Sequence, residues 1–441
     1  MRANLSSVLC SAVALAGCMS DKMVDQFTEE EFAVIRTLGP LGDVPADSTN
    51  RYANDEASAV FGQRLFFEKS YSHGLTIADP VLGKVGDTGQ VACASCHDTT
   101  SYYTDTRSHP NSTSLGVNWT ARNAPSLVNV AFNQWMSWGG KDDSLWEQSA
   151  TLCENASAFG GNRLEYAHML YRKYRADYDA IFPVHLDSAL DPNAPDKARF
   201  PDQGKPKASP TAADGAWEMM APADRDIINT IMANAGKAIE AYERNLVSRN
   251  APIDKYVQGD YSALSSAAKR GLRLFIGKAA CVDCHSGPAL SDHKFHNTGI
   301  PQVGINLPRA DNGRFDDLQK TLASPFTGAG KFSDDQAGGM AKLAGMQVTD
   351  DLKGLFRTPM LRQVSNTGPY MHTGSLLTLE DVVQFYNWGG GTADFAGTKS
   401  PSMVPLLLSN DDLTDLVAFL NALTGEPPPA DLGKDTSAPG P

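Results

Sequence analysis

The chain has 441 residues, a formal charge of −13, 41% hydrophobic and 20% charged residues. That length supports two units with cores of their own, in a globular protein of ordinary composition. The acidic balance counts against nucleic-acid binding, which needs a basic surface; it suits a basic electron-donor protein, or simply solubility.

Arg2 and the apolar stretch Leu5 to Leu15 read as an export signal, too short to span a bilayer. The following Leu15-Ala16-Gly17-Cys18 resembles a bacterial lipobox, which removes residues 1–17 and lipidates Cys18. The alternative is ordinary cleavage near Gly17 with an incidental cysteine. Lipid chains anchor a protein to a membrane without a spanning helix, and no other segment is apolar enough to span. The expected location is the periplasmic side of a bacterial membrane. Residues 18–50 read as a lead-in.

Residues 51–215 form the expected first unit. It contains Cys93-Ala94-Ser95-Cys96-His97, a Cys-x-x-Cys-His sequence. This is the attachment site of a c-type haem: two thiols bond to the porphyrin vinyl groups and the adjacent imidazole ligates the iron. The spacing has a mechanical reason, since the ligating ring must lie beside the second thioether. Asn162 to Ile181 has helical periodicity, and residues 190–215 have linker composition.

The expected second unit, 216–425, opens on a periodic stretch from Asp224 to Val247, with Asp224 as N-cap. A helix from Ala263, capped by Ser262, to Ile276 leads into Cys281-Val282-Asp283-Cys284-His285, a second copy of the motif. One copy could be a zinc knuckle or redox pair; two in an exported chain indicate two covalent haem c groups. Residues 301–355 read as loops with short helices, Leu379 to Tyr386 and Asp411 to Leu423 as the last helices, and 426–441 as a disordered tail. Strand signals are sparse. The fold class is mainly α: two cytochrome c-type haem domains with long loops and few strands. Of seven cysteines, four take haem, Cys10 leaves with the signal, Cys18 is the lipid anchor, and Cys153 remains as a buried free thiol.

The order of further blocks resembles the bacterial dihaem cytochrome c peroxidase/MauG family. These are Gly62-Gln63-Arg64-Leu65-Phe66-Phe67, Arg122-Asn123-Ala124-Pro125, Trp138-Gly139-Gly140-Lys141, Leu145-Trp146-Glu147-Gln148, Gly271-Leu272-Arg273-Leu274-Phe275, Arg357-Thr358-Pro359 and Gly368-Pro369-Tyr370-Met371-His372. In that family one haem takes peroxide and the other stores or relays electrons. The resemblance implies that Trp138 bridges the haems; otherwise it is a core aromatic. It implies a calcium ion on the Asn123 side chain and the Thr367 and Pro369 carbonyls, with waters completing the oxygen shell; otherwise Asn123 caps a turn. Gln148 matches the distal glutamine, or is a surface residue.

The axial ligands set the chemistry. The segment Ser114 to Ala121 lacks the distal histidine that blocks the first haem in many resting peroxidases, and His109 is displaced from that position. A five-coordinate first haem is expected. Counting from His372 places the second haem's sixth ligand at Tyr386, as in MauG; Met371 is the alternative. Methionine raises a haem potential, whereas a phenolate stabilises ferric and higher states. The family's distal glutamate falls on Ala158, so another acid or water must serve proton movement.

The leading expectation is a MauG-like enzyme. Peroxide reacts at the haem on His97, Trp138 shares the oxidising equivalent with the haem on His285 and Tyr386, and a protein partner is oxidised at the surface. The alternative is a cytochrome c peroxidase fed by a small cytochrome or cupredoxin donor. A third reading is a non-enzymatic electron carrier.

Overall fold

The computed structural model describes residues 27–107 and 113–438. The signal segment, Cys10, Cys18 and His109 lie outside the described residues. The helices are α1 (Glu29–Arg36), α2 (Glu56–Phe67), α3 (Leu145–Leu152), α4 (Arg163–Ile181), α5 (Ala216–Met219), α6 (Pro222–Glu243), α7 (Pro252–Val257), α8 (Ser266–Ile276), α9 (Arg314–Ala323), α10 (Gln336–Leu343), α11 (Leu379–Asn387) and α12 (Asn410–Asn421). The one sheet among the described residues pairs β1 (Phe295–His296) antiparallel with β2 (Phe356–Arg357). The fold is mainly α. No described helix is long and apolar enough to cross a membrane.

Local chemistry explains where the helices start. Asn162 caps α4 by accepting from the Glu165 amide. The cap of α8 is Ser265, which accepts from the Ala268 amide; the expected cap, Ser262, instead bonds Asp260 in the preceding turn. Asp224 is not the cap of α6. Pro222 opens that helix, its fixed φ being suited to the first turn. Asp224 sits inside the turn and accepts from Arg199 at 2.7 Å.

The first core joins Phe61 and Leu65 of α2, Trp146 of α3, Leu164 and Leu170 of α4, and Ile228, Ile231 and Met232 of α6. Helix α6, expected to open the second unit, packs instead in the core of the first. The reason is an apolar face that α2 and α3 cover. The second core joins Leu272 and Phe275 of α8, Val383 of α11 and Phe419 and Leu420 of α12 with Ile35 and Leu38 of the lead-in. The two units repeat one crossing. A Cβ on Gly62 would lie 1.9 Å from the Ala238 carbonyl oxygen, and one on Gly271 1.9 Å from that of Asp415. Only glycine allows α2 to touch α6, and α8 to touch α12, backbone to backbone.

Within the tail 426–441, expected to be disordered, the described residues 431–438 form a strap. Gln63 Nε2 donates to the carbonyls of Asp431 (2.9 Å) and Lys434 (3.1 Å), Tyr242 donates to that of Leu432 (2.7 Å), and the Ala438 amide donates to Tyr174 (2.8 Å). Its composition is polar, but its backbone acceptors meet fixed donors on the first unit.

Candidate functional site

Both Cys-x-x-Cys-His motifs adopt one geometry. Each begins with a 3₁₀ turn, Cys93–Ser95 and Cys281–Asp283, closed by the histidine amide donating to the first cysteine's carbonyl. His97 Nδ1 donates to the Tyr103 carbonyl (3.1 Å) and His285 Nδ1 to the Leu290 carbonyl (3.0 Å). That bond fixes the tautomer and leaves Nε2 as a free ligand atom. Burial holds both imidazoles below their ordinary pKa, so both are neutral. Burial also pushes the Cys96 and Cys281 thiols up to about 12, away from the lowered values of reactive thiols. Among the described residues, the one His/Cys/Asp/Glu group close enough to share an ion is Cys284, Asp292 and His296. It uses a single motif cysteine, so the motifs are not built as zinc knuckles.

The residues around the motifs suit a covalent haem. Arg357 is buried with its Nε unpartnered, and burial without a facing carboxylate lowers its pKa to about 10. Arg107 donates to the Ser95 carbonyl (2.7 Å) beside the first motif and keeps a buried Nη1 unpartnered. Arg357 adjoins Thr358, whose carbonyl accepts from Ser291 just after the second motif, so each motif has an orphaned guanidinium donor in its neighbourhood, as haem propionates require.

Between the units, Trp138 is gripped from both sides. Its indole Nε1 donates to the Asn123 carbonyl (2.7 Å), and its own carbonyl accepts from the Arg357 amide (2.7 Å). Its ring lies 6.3 Å edge-on from His372, which stacks on Phe356 at 3.7 Å. Burial lowers the His372 pKa to about 3. The Asn123 amide nitrogen donates to the His372 carbonyl (2.7 Å), and its side-chain amide to the Pro369 carbonyl (3.0 Å). Asn123 and Pro369 are thus brought together. Thr367 closes the Val364–Asn366 turn two residues away. Arg122, next to Asn123, grips Asp311 with two bonds of 2.7 Å and Asp317 of α9 with one of 2.5 Å.

Tyr386 lies on α11, close enough to Cys281 and Cys284 that burial and the two thiols raise its phenol pKa. Gln148 is half-buried on α3 and accepts from Ser149 Oγ at 3.3 Å. It stands one turn before Leu152 on the same helical face. Leu152 and Ala158 pack against one apolar cluster, as does Cys93. Cys153 is buried with its thiol pushed up by burial. His168 bonds the Leu190 and Phe200 carbonyls, and His296 bonds Asp292. The orphaned Nε of Arg357 and the contacts of Arg107 are invisible to motif reading, although the Arg357-Thr358-Pro359 block marks the first of them.

A family described as "Di-haem cytochrome c peroxidase" matches residues 56–262. "Cytochrome-c peroxidase IdrP1" of Denitromonas iodatirespirans is 32% identical over 397 residues, covering 88% of this chain and 86% of its own length. "Methylamine utilization protein MauG" of Methylorubrum extorquens is 29% identical, covering 83% of this chain and 78% of its own. The crystal structure of a MauG-like protein associated with microbial copper homeostasis superposes with a TM-score of 0.56 at 25% identity, over 88% of this chain and 94% of that one. Two haem-attachment motifs in two helical units, with relatives of both kinds across most of their length, make this chain a member of the dihaem cytochrome c peroxidase/MauG family of haem-dependent oxidoreductases.

Proposed function

We propose that the protein uses hydrogen peroxide to oxidise a protein partner at its surface, with Trp138 as the electron relay between the haems on His97 and His285. The observation that carries this reading is the grip on Trp138: one indole bond to Asn123 of the first unit and one backbone bond from Arg357 of the second. The haems supply peroxide reduction and storage of oxidising equivalents. Tyr386 serves as the second haem's axial ligand, supported by its proximity to Cys281 and Cys284. Gln148 faces the peroxide pocket, supported by its position one turn before Leu152. Calcium sits on Asn123 and Pro369 with the Thr367 carbonyl. The Asn123 amide nitrogen and Pro369 oxygen are 3.0 Å apart, and turning the amide over sets two oxygens at a spacing suited to one ion. The protein works on the periplasmic side, with Cys18 as the lipid anchor.

A second reading, turnover of peroxide with electrons from a small cytochrome or cupredoxin, is favoured by the 32% identical relative, which is named a cytochrome-c peroxidase. A passive carrier does not fit a family of haem-dependent oxidoreductases.

The test adds peroxide to the haem-loaded diferric protein, followed by near-infrared absorption and Mössbauer spectroscopy. The first reading expects a long-lived oxidised state in which both iron sites shift together, lost in Trp138→Phe. Fast steady-state oxidation of reduced cytochrome c, with no such state, supports the second.

A further inference from the structure

Ala158 leaves a gap where the family frame places a carboxylic acid, and the gap has a definite side. His97 is held by the carbonyl of Tyr103, which packs in an apolar cluster with Phe66, Leu127 and Val130. Cys93 packs against that cluster and also against a second one, built on Leu75, Val91, Leu115, Val117 and Phe159. With His97 anchored to the first cluster, the second, against which Ala158 packs, is the one left to line the opposite side of a haem held by Cys93.

Tyr71, like Ala158, packs against that second cluster. Its ring stacks on Phe159, the next residue, with centroids 5.1 Å apart and planes 26° apart. It also meets Tyr166 edge-on at 4.8 Å. Among the described residues no group accepts a hydrogen bond from the Tyr71 hydroxyl. A phenol in such surroundings stays protonated: burial raises its pKa well above the ordinary value, with the nearby Cys93 adding to the shift. When Cys93 becomes a thioether its share disappears and the burial remains.

We propose that Tyr71 is the hydrogen-bond donor that stands in for the missing acid, contacting peroxide bound over the His97 haem. The phenol donates and keeps its proton; it orients the ligand rather than transferring a group. This rests on the reading that the His97 haem is the peroxide site. The assignment adds a distal residue that no motif indicated, because Tyr71 reaches the pocket from the loop after α2, far in sequence from Gln148.

The test uses the haem-loaded protein, with Tyr71→Phe and the double variant Tyr71→Phe/Ala158→Glu. In the reduced carbon monoxide adduct of the first haem, loss of the donor raises the C–O stretching frequency. The bimolecular rate constant for the reaction with peroxide falls at least tenfold, and adding Ala158→Glu recovers part of it. In the wild type the same stretch shifts on transfer to D₂O, a readout that needs no variant. A Tyr71→Phe protein with unchanged stretch and unchanged rate overturns the assignment, as does a D₂O-insensitive wild type. A wild type whose His97 haem binds no carbon monoxide overturns the peroxide-site reading itself, and the assignment with it.

Discussion

Asp311→Asn tests the clamp beside Asn123, whose carbonyl holds the Trp138 indole. The Arg122 side chain is 18% exposed, Asp311 7% and Asp317 3%. The substitution removes one carboxylate from a buried guanidinium while leaving it a single bond to Asp317. Stranding a buried charge costs about 3–5 kcal/mol; Asp317 offsets part of that, so the expected loss is about 2–3 kcal/mol. At about 2–4 °C per kcal/mol for a unit of this size, the thermal midpoint drops by roughly 4–12 °C. The pH dependence has a definite sign. Burial raises the Asp311 pKa, but the hydrogen bonds and charge of Arg122 outweigh it and hold the carboxyl below its ordinary value. A carboxyl depressed in the folded state stabilises fully above its unfolded pKa, about 3.9, and loses that contribution as pH falls through the folded value. The gap between wild type and variant is therefore full at pH 7 and narrows only below about pH 4. Calorimetry of the haem-loaded proteins at pH 7, 5 and 4 measures it. Equal midpoints at pH 7 refute the reasoning, and so does a gap that already closes between pH 7 and 5.

Replacing Tyr386 by methionine raises the second haem's midpoint potential by on the order of 100 mV, within the roughly 0.8 V that axial ligands span; an unchanged potentiometric titration would identify another ligand. Gly271→Ala drives a methyl into the Asp415 carbonyl, 1.9 Å from an ideal Cβ. It should cost about 2–3 kcal/mol as overpacking, read as an earlier denaturant midpoint for the second unit than for the first. If calcium occupies the Asn123 and Pro369 oxygens, a chelator lowers the thermal midpoint, by about 2.7 kcal/mol of lost stabilisation at a hundredfold excess over the dissociation constant. Asn123→Ala then removes the chelator sensitivity, and equal sensitivity in both proteins would count against the site.

Much of this site could be read from the chain because its chemistry is written locally. Each Cys-x-x-Cys-His closes its own turn, and the paired glycines at 62 and 271 answer to close helix contact. Helix limits came within a few residues, with cap errors where a neighbouring serine or proline competes, as at Ser262 and Asp224. What stayed hidden depends on partners distant in sequence. The periodicity of α6 shows that it has an apolar face but not that α2 and α3 cover it. The tail's polar composition hides the donors of Gln63 and Tyr242 that fix its backbone. Tyr71 carries no motif; only packing brings it beside Phe159.

The two ends of the described chain are exchanged between the units. Phe27, Ile35 and Leu38 fill the second core, while Leu432 and Ala438 pack on the first. Neither unit is a contiguous stretch of sequence, so a cut at any single linker leaves both incomplete. A domain made early in synthesis ordinarily folds before the rest has emerged. Here the first unit lacks part of its packing until residues 430–438 are present. Keeping both units closed therefore takes the whole chain: residues 430–438 for the first, the lead-in for the second.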